Sequence, residues 1–160
     1  MQMKMKEIDG AMYCMDERGI VQLGWMRKRW KSPAIRGYKY YAETSDGKHA
    51  VGQLVNDGWN KMAGPEDECT GDEEWFYFDS NGYPKYASSG TYEIKTIQNK
   101  RYLFDSYGNA KAGLREVDGK IYYFGPEDGN LAAYTGTCRI DDGDSASSNG
   151  RSEYYFEKTG

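Results

Sequence analysis

One stretch, Val117-Asp118-Gly119-Lys120-Ile121-Tyr122-Tyr123-Phe124, decides the fold, because we interpret it as an opening strand and close versions of it recur along the chain. The aromatic part returns in Trp75-Phe76-Tyr77-Phe78 and in Tyr102-Leu103-Phe104, and both copies continue into a turn of the form Asp-Ser-Xaa-Gly. Further copies lie at residues 8–19, 37–47 and 154–160. A repeat of this kind predicts the architecture before any single residue is interpreted.

Each copy is predicted to be a β-hairpin. The aromatic segment alternates as a strand does, and the Gly of the turn can adopt a positive φ. The small segment that follows, as in Asn109-Ala110-Lys111-Ala112-Gly113, is typical of a second strand with room for neighbouring rings. One hairpin is at best marginally stable alone, so copies are expected to stack. We therefore predict an all-β fold, an elongated solenoid of stacked β-hairpin repeats with almost no helix.

The predicted array covers the whole chain as about five hairpin units and a partial sixth. The approximate bounds of these units are 8–25, 37–52, 75–90, 97–114, 117–136 and 150–160. Because the chain starts and stops inside a repeat, we expect it to be a piece of a longer exported protein.

The composition restricts the classes of function that the chain can have. The chain has 160 residues, with 21 Lys and Arg against 25 Asp and Glu, so it lacks the basic excess of a nucleic-acid-binding protein. Only 38% of the residues are hydrophobic, but 15 Tyr, 5 Phe and 4 Trp are among them, which predicts a core built from rings. No run of about eighteen apolar residues is present, so no membrane span is predicted.

The residues that most often carry chemistry are few. Cys14 stands where other copies carry a strand aromatic, while Cys69 and Cys138 fall in insertions. We interpret the three as mainly free thiols, with a Cys69–Cys138 bridge as the alternative. His49 has no Ser or Cys nucleophile motif nearby and is expected at the surface. No zinc-ligand spacing appears, so we expect no metal. We also expect no catalytic residue, no cofactor and no enzyme activity.

The recurring motifs resemble the bacterial cell-wall-binding repeat family, which includes choline-binding modules, glucan-binding repeats and the receptor-binding repeats of clostridial toxins. Most of the chain is covered, apart from insertions at residues 60–74 and 133–153. The residues that carry the match are Asp9-Gly10, Gly24-Trp25, Gly58-Trp59, Trp75 to Gly82, Tyr102 to Gly108 and Asp118 to Phe124. The resemblance implies a hairpin solenoid, a non-catalytic attachment role and a location at the cell surface or outside the cell.

The resemblance also implies a way to bind choline. In choline-binding members, the Trp of Gly-Trp pairs with a strand Trp of the next hairpin, and a further aromatic closes a cage. Trp59, Trp75 and Tyr102 match that pattern once. After Trp25, Lys39 stands where the second Trp is expected, and its charge would repel an ammonium group. The sequence therefore predicts at most one choline site.

Carbohydrate binding requires less, because a sugar can stack on any exposed ring that has polar groups nearby. Neighbouring residues of a strand point to opposite faces, so about half of the strand rings are expected to belong to the core. The candidate ligand-binding residues are Trp59, Trp75, Tyr77, Tyr102, Trp25, Tyr40, Tyr41, Tyr122 and Tyr123.

These observations predict a non-catalytic module that attaches a larger protein to a bacterial surface. Its expected partner is a cell-wall polymer or surface glycan, with choline as a further candidate, and a catalytic or effector domain is expected outside this segment. One alternative is a protein-binding repeat scaffold inside the cell, favoured by the degenerate Gly-Trp positions and the missing signal peptide. Another is a structural spacer without a ligand.

Overall fold

A computed structural model describes residues 2–27, 37–65, 72–125, 131–141 and 151–156, the side chains of 136–141 and 151–156 excepted. Every regular element among these residues is a β-strand, so the predicted all-β class is confirmed, while the elongated solenoid stays a prediction. The strands are β1 (Lys4–Ile8), β2 (Ala11–Met15), β3 (Gly24–Arg27), β4 (Tyr38–Tyr41), β5 (Gly58–Ala63), β6 (Glu73–Phe78), β7 (Tyr92–Ile97), β8 (Lys100–Asp105), β9 (Ala110–Lys111), β10 (Gly113–Val117), β11 (Lys120–Phe124), β12 (Gly136–Asp141) and β13 (Arg151–Phe156).

The strands of the described ranges form small sheets rather than one large sheet. β1–β2, β3–β4, β5–β6, β10–β11 and β12–β13 are two-stranded and antiparallel, and β7, β8 and β9 form a three-stranded sheet in that order. In the part of the chain that the structure describes, no helix is long and apolar enough to cross a membrane.

Strand pairing agrees with the sequence prediction only in part. Strands β4, β6 and β11 pair with the strand before them, which carries the Gly-Trp motif or its equivalent. Strand β8 pairs both with β7 before it and with β9 after the Asp-Ser-Xaa-Gly turn, as the sequence predicted for that copy. After the turn that begins at Asp79, Phe78 forms an isolated bridge to Pro84. Four hairpins share one register, in which a Gly faces the last aromatic of the partner strand: Gly24↔Tyr41, Gly58↔Phe78, Gly113↔Phe124 and Gly136↔Phe156.

Two-residue turns explain why these strands pair. Asp9 and Gly10 connect β1 to β2 with φ of 50° and 80°, and Asp118 and Gly119 connect β10 to β11 with φ of 52° and 75°. Positive φ at both central residues defines the type I′ turn, whose twist matches that of the flanking strands, and Asp-Gly is a preferred sequence for it. The Asp-Gly pairs therefore close hairpins, whereas the sequence analysis placed them at the start of a strand.

The Asp-Ser-Xaa-Gly segment forms a different and highly regular turn. Asp79 Oδ1 accepts hydrogen bonds from the backbone N–H groups of Asn81 and Tyr83, both at 2.9 Å, and Gly82 N donates to the Asp79 carbonyl at 2.9 Å. The same set of bonds recurs around Asp16 and Asp105. A short carboxylate side chain thus satisfies the turn backbone three times, which confirms the repeat at the level of hydrogen bonding.

The chain divides into two compact units. Unit 1 comprises Met1–Thr91 and Phe104–Ala110, and unit 2 comprises Tyr92–Leu103 and Lys111–Gly160. In unit 2, Tyr122 and Phe124 stack at 6.1 Å between ring centroids. The backbone N–H of Tyr134 donates to the carbonyl of Tyr123 at 2.8 Å, which holds the segment after β11 against that strand.

Unit 1 has two clusters of buried apolar side chains. Val55, Met62, Phe76 and Phe78 form the first, with Trp25, Tyr38, Tyr40 and Tyr86 packed against it. Cys14, Tyr41 and Leu54 form the second, with Met12 and Met26 packed against it. Cys14 is a free cysteine, as predicted, and burial raises the pKa of its thiol. Cys69 and the side chain of Cys138 lie outside the described residues.

Gly82 tests how closely the turns approach the core. A Cβ at Gly82 would lie 2.7 Å from Leu54 Cδ1, whereas a Cβ at Gly47 would meet nothing, although the φ angles are 82° and 83°. We expect Gly47→Ala to lower the free energy of unfolding by about 1 kcal/mol through backbone strain alone. Gly82→Ala should cost about 1–3 kcal/mol more, because buried Leu54 must move.

Urea denaturation of the two variants beside the parent chain measures that difference. Since the backbone strain is matched, the excess loss in Gly82→Ala reports the contact with Leu54. Equal losses in the two variants would show that the turn and Leu54 are not packed together.

Candidate functional site

Hairpin β5–β6 presents a face with three aromatic side chains and one lysine, which we call the ring face of this hairpin: Trp59, Lys61, Trp75 and Tyr77. The register sets Trp59 opposite Tyr77 and Lys61 opposite Trp75. Alternation along a strand puts these four side chains on one face, and sets Met62, Phe76 and Phe78 on the other, buried face. The three rings are half-buried and Lys61 is exposed, so the face is partly open to solvent.

Trp59 is held by two further rings of unit 1. Its ring centroid lies 5.3 Å from that of Tyr77 in an edge-on arrangement, and 5.8 Å from that of Phe104 with the planes only 9° apart. Offset and edge-on pairs of this kind each stabilise by about 0.5–1.5 kcal/mol beyond the area they bury. Trp59 is therefore a packing residue that keeps part of its surface accessible.

Hairpin β3–β4 has an equivalent ring face, made of Trp25, Arg27, Tyr38 and Tyr40. Trp25 stands opposite Tyr40, and Arg27 stands opposite Tyr38. The Trp25 centroid lies 5.2 Å from that of Tyr40 and 6.3 Å from that of Tyr38. Trp25 also donates its indole N–H to the Ala63 carbonyl at 2.7 Å, which anchors this ring face to strand β5.

A carboxylate lies beside the β3–β4 ring face. The Tyr40 hydroxyl donates to Glu43 Oε2 at 3.4 Å, and a Cβ on Gly24 would lie 2.8 Å from Glu43 Oε1. Because Gly24 has no side chain, the Glu43 carboxylate can lie over the backbone next to Trp25. Burial first, and the charge of Glu43 second, raise the pKa of Tyr40 to about 12, so its hydroxyl stays protonated.

The structure corrects the sequence interpretation of Lys39. Aligning Gly24↔Tyr41 with Gly58↔Phe78 makes Tyr38, not Lys39, the equivalent of Trp75. Lys39 belongs to the other face of its hairpin, where its Nζ lies 4.5 Å from the centroid of the Tyr83 ring. The predicted repulsion between Lys39 and a ligand at Trp25 therefore does not arise.

Two predicted ligand-binding rings are buried. Tyr41 is 2% exposed and its hydroxyl lies 3.0 Å from the Met5 sulfur, and burial raises the pKa of Tyr41. Tyr102 is 9% exposed. Neither side chain exposes its aromatic ring to a ligand in this structure. Tyr102 belongs to unit 2, whereas Trp59 and Trp75 belong to unit 1, so the predicted third wall of the cage stays a prediction.

The remaining candidates, Tyr122 and Tyr123, are half-buried in unit 2. The Arg101 guanidinium lies 5.5 Å from the centroid of the Tyr122 ring, and Tyr123 lies 5.1 Å from Tyr134 between centroids. One face of Tyr122 is therefore covered by a cation of the protein itself.

His49 is not the surface residue that the sequence predicts. It is 2% exposed, its Nδ1 lies 2.9 Å from Asp46 Oδ2, and its Nε2 lies 2.8 Å from Asp57 Oδ1. Lys48 Nζ lies 3.0 Å from the other Asp57 oxygen. Both ring nitrogens are thus engaged with carboxylates, and the residue ties the loop after β4 to the residue before β5.

Sequence reasoning missed several residues of the ring faces, namely Arg27, Tyr38, Glu43, Lys61 and Phe104. Counting by two from each Gly-Trp pair would have placed Arg27 and Lys61 on the same face as Trp25 and Trp59. The contact of Trp59 with Phe104 had no such sign, because it joins residues far apart in the sequence.

Comparison with solved structures bears on the fold. The chain is similar to choline binding protein F of Streptococcus pneumoniae, with 19% identity and a TM-score of 0.60, over 91% of this chain and 39% of that one. The same protein in the presence of a peptidoglycan analogue, a tetrasaccharide-pentapeptide, gives 20% identity and a TM-score of 0.58, over 86% and 36% of the two chains. The chain shares the fold of this protein. It spans well under half of that protein's length.

The shared fold confirms, at the level of structure, the resemblance found in the sequence. No protein-family model matches the sequence. No curated protein matches it either. With identities this low, the likeness concerns the fold, and the ligand must be argued from the ring faces themselves.

The contacts of His49 predict that the stability of the fold decreases at low pH. Hydrogen bonds from the His49 ring and backbone hold the pKa of Asp46 well below its usual range. For Asp57, desolvation raises the pKa, but hydrogen bonds from Lys48 and His49 outweigh it and leave the pKa lowered. A carboxyl group whose pKa is lower in the folded chain than in the unfolded chain stabilises the fold. This stabilisation is complete above the pKa of the unfolded chain, about 4, and is lost as the pH falls through the pKa of the folded chain.

We therefore expect His49→Gln to lower the melting temperature at pH 7. Between about pH 5 and pH 2, the melting temperature of this variant should decrease less steeply with falling pH than that of the parent chain. Melting temperatures measured across that range provide the test. Asp9→Asn is the matched control, since it removes an exposed carboxylate from a turn that suits Asn equally well. An unchanged acid slope in His49→Gln would show that the two carboxylates do not depend on the imidazole.

Proposed function

We propose that this chain is a non-catalytic module that binds a bacterial cell-wall polymer or surface glycan and attaches a larger protein to it. The observation that carries the proposal is the ring face of β5–β6. Trp59, Trp75 and Tyr77 lie there on one side of a hairpin, half-buried, with exposed Lys61 between them. Binding residues on a rigid strand pair need little reordering when a ligand arrives.

Sugar recognition fits this surface. The apolar face of a pyranose stacks on an indole or phenol ring, and its hydroxyls need nearby polar groups. Lys61 supplies an ammonium donor opposite Trp75, and the Tyr77 hydroxyl is a donor and acceptor at the other end of the face. Trp75 is the ring on which we place the main stacking contact, because it is half-buried and stands opposite the exposed Lys61.

The fold supports the proposal without deciding the ligand. Choline binding protein F was solved with a peptidoglycan analogue, which makes wall material a reasonable ligand class to test on this chain. We also propose that the hairpin units continue as an elongated solenoid with the bounds predicted from the sequence. In such an array, weak single sites would add up through avidity.

Choline is the second candidate ligand. Trp59 and Trp75 share the ring face, and the similar solved protein is named for choline binding. A quaternary ammonium group is attracted to the faces of aromatic rings. Choline would bind at the Trp59–Trp75 face, where it would have to share Trp75 with the ammonium group of Lys61.

Retention on purified cell walls tests the proposed function. We expect Trp75→Ala to reduce retention at least about fivefold, since loss of one stacked ring removes on the order of 1 kcal/mol per site. Trp59→Ala should reduce retention and also lower the melting temperature, because it leaves Phe104 without its stacked partner. Pull-down on insoluble wall, quantified against free protein, measures both.

Tyr107→Ala is the matched control, since Tyr107 is an exposed ring of unit 1 at a turn, outside either ring face. Retention that persists in Trp75→Ala with an intact fold would contradict the proposed site. Release of the parent chain by choline would favour the second candidate, and release by wall oligosaccharide would favour the first. Capture by neither wall nor glycan would leave the protein-binding scaffold as the better hypothesis.

A further inference from the structure

The ring face of β3–β4 already holds a cation. The Arg27 guanidinium carbon lies 5.1 Å from the centroid of the Tyr38 ring, within the range in which a cation is attracted to a ring face. Tyr38 in turn meets Trp25 edge-on, and Trp25 meets Tyr40 at 5.2 Å. Three rings and one guanidinium therefore lie on the same side of one hairpin.

The position of Arg27 follows a rule across the hairpins. It lies two residues after the Trp of Gly-Trp, and Lys61 takes the equivalent place in the next hairpin. Both cations stand opposite an aromatic residue, Tyr38 for Arg27 and Trp75 for Lys61. In the two hairpins where the opposite residue is apolar but not aromatic, the same place holds an acid: Glu7 opposite Met12, and Glu116 opposite Ile121. Hairpin β12–β13 is an exception, since Arg139 takes this place opposite Glu153.

This rule has a physical reason. A cation over a ring gains electrostatic attraction from the negative face of the ring, and a carboxylate would be repelled by it. Other rings carry cations in the same way, since Arg101 lies over Tyr122 and Arg115 lies 5.9 Å from the centroid of Tyr92. Aromatic surface in this protein is therefore repeatedly paired with its own Arg or Lys.

We propose that Arg27 determines ligand specificity at the Trp25–Tyr38–Tyr40 cluster, as a resident cation that keeps quaternary ammonium ligands off these rings. A tethered guanidinium competes with any free cation at a high effective concentration. An ammonium ligand must displace Arg27 from Tyr38 and accept a like charge beside it. The inference goes beyond the proposed function, since it concerns small cations and requires no cell wall.

Removal of the Arg27 charge would leave a surface suited to a cation. Trp25 and Tyr40 stay in place, because Trp25 is fixed by its hydrogen bond to Ala63 and by contact with Phe76 at 5.1 Å between centroids. The Glu43 carboxylate remains next to Tyr40, so the local charge becomes negative. Rings together with a carboxylate are a favourable environment for a trimethylammonium group.

The test is a choline titration of the full chain and of Arg27→Met, followed by the indole N–H signal of Trp25 in NMR spectra. We expect Arg27→Met to bind choline at least about tenfold more tightly at this cluster than the parent chain, which corresponds to about 1.4 kcal/mol. The neutral isostere 3,3-dimethylbutanol should gain much less, since only the charged ligand benefits from the ring faces.

Arg18→Met is the matched control, because it removes the same charge from an exposed turn and leaves the ring faces unchanged. Arg27→Gln provides a second variant that keeps a polar side chain, and it is expected to change choline affinity in the same direction. The proposal is overturned if both Arg27 variants fold and bind choline no better than the parent chain, or if Arg18→Met gains as much. Wall retention by the parent chain is measured separately, so either proposal can fail alone.

Discussion

The contact of Trp25 with Phe76 and Phe78 is the interaction on which unit 1 depends. The ring face of one hairpin meets the buried face of the next, with centroids 5.1 Å and 5.8 Å apart. A two-stranded hairpin has too little surface to bury on its own, so each gains stability only when a neighbour covers it. Trp59 and Phe104 repeat the arrangement one hairpin further along.

The rings that hold the hairpins together are also rings of the proposed binding surface. Trp25, Trp59 and Tyr77 are half-buried, so part of each ring packs and part remains accessible. Under the proposed function, affinity and stability therefore share residues. A substitution in a ring face is informative about binding only when the fold is measured beside it, because losing a packed ring also uncovers the hairpin below.

Much of the fold could be predicted from the sequence, since it rests on local patterns. Alternating aromatics indicated strands, and the spacing of Asp-Ser-Xaa-Gly indicated repeated turns. The pairing of β8 with β9 was predicted correctly. The other hairpins were predicted wrongly because Asp9-Gly10 and Asp118-Gly119 were assigned to strands, although Asp-Gly between two strands is typical of a tight hairpin turn. Lys39 was placed on the wrong face because its strand was aligned one residue out of register with Trp75. The burial of His49 could not be predicted, because Asp46 and Asp57 converge on it only in the folded chain.

In the turns around Asp16, Asp79 and Asp105, the bonds that the three Asp residues make to the turn backbone all lie within five consecutive residues. Because these bonds are local, each turn can form without contacts to distant residues. A segment bounded by two such turns can therefore be duplicated or deleted as a unit. Length varies instead at the hairpin tips, where β1 and β2 are joined by two residues but Ala63 and Glu73 are separated by many more. Gene duplication could therefore lengthen or shorten such a chain in whole steps, and new recognition loops would arise at the tips.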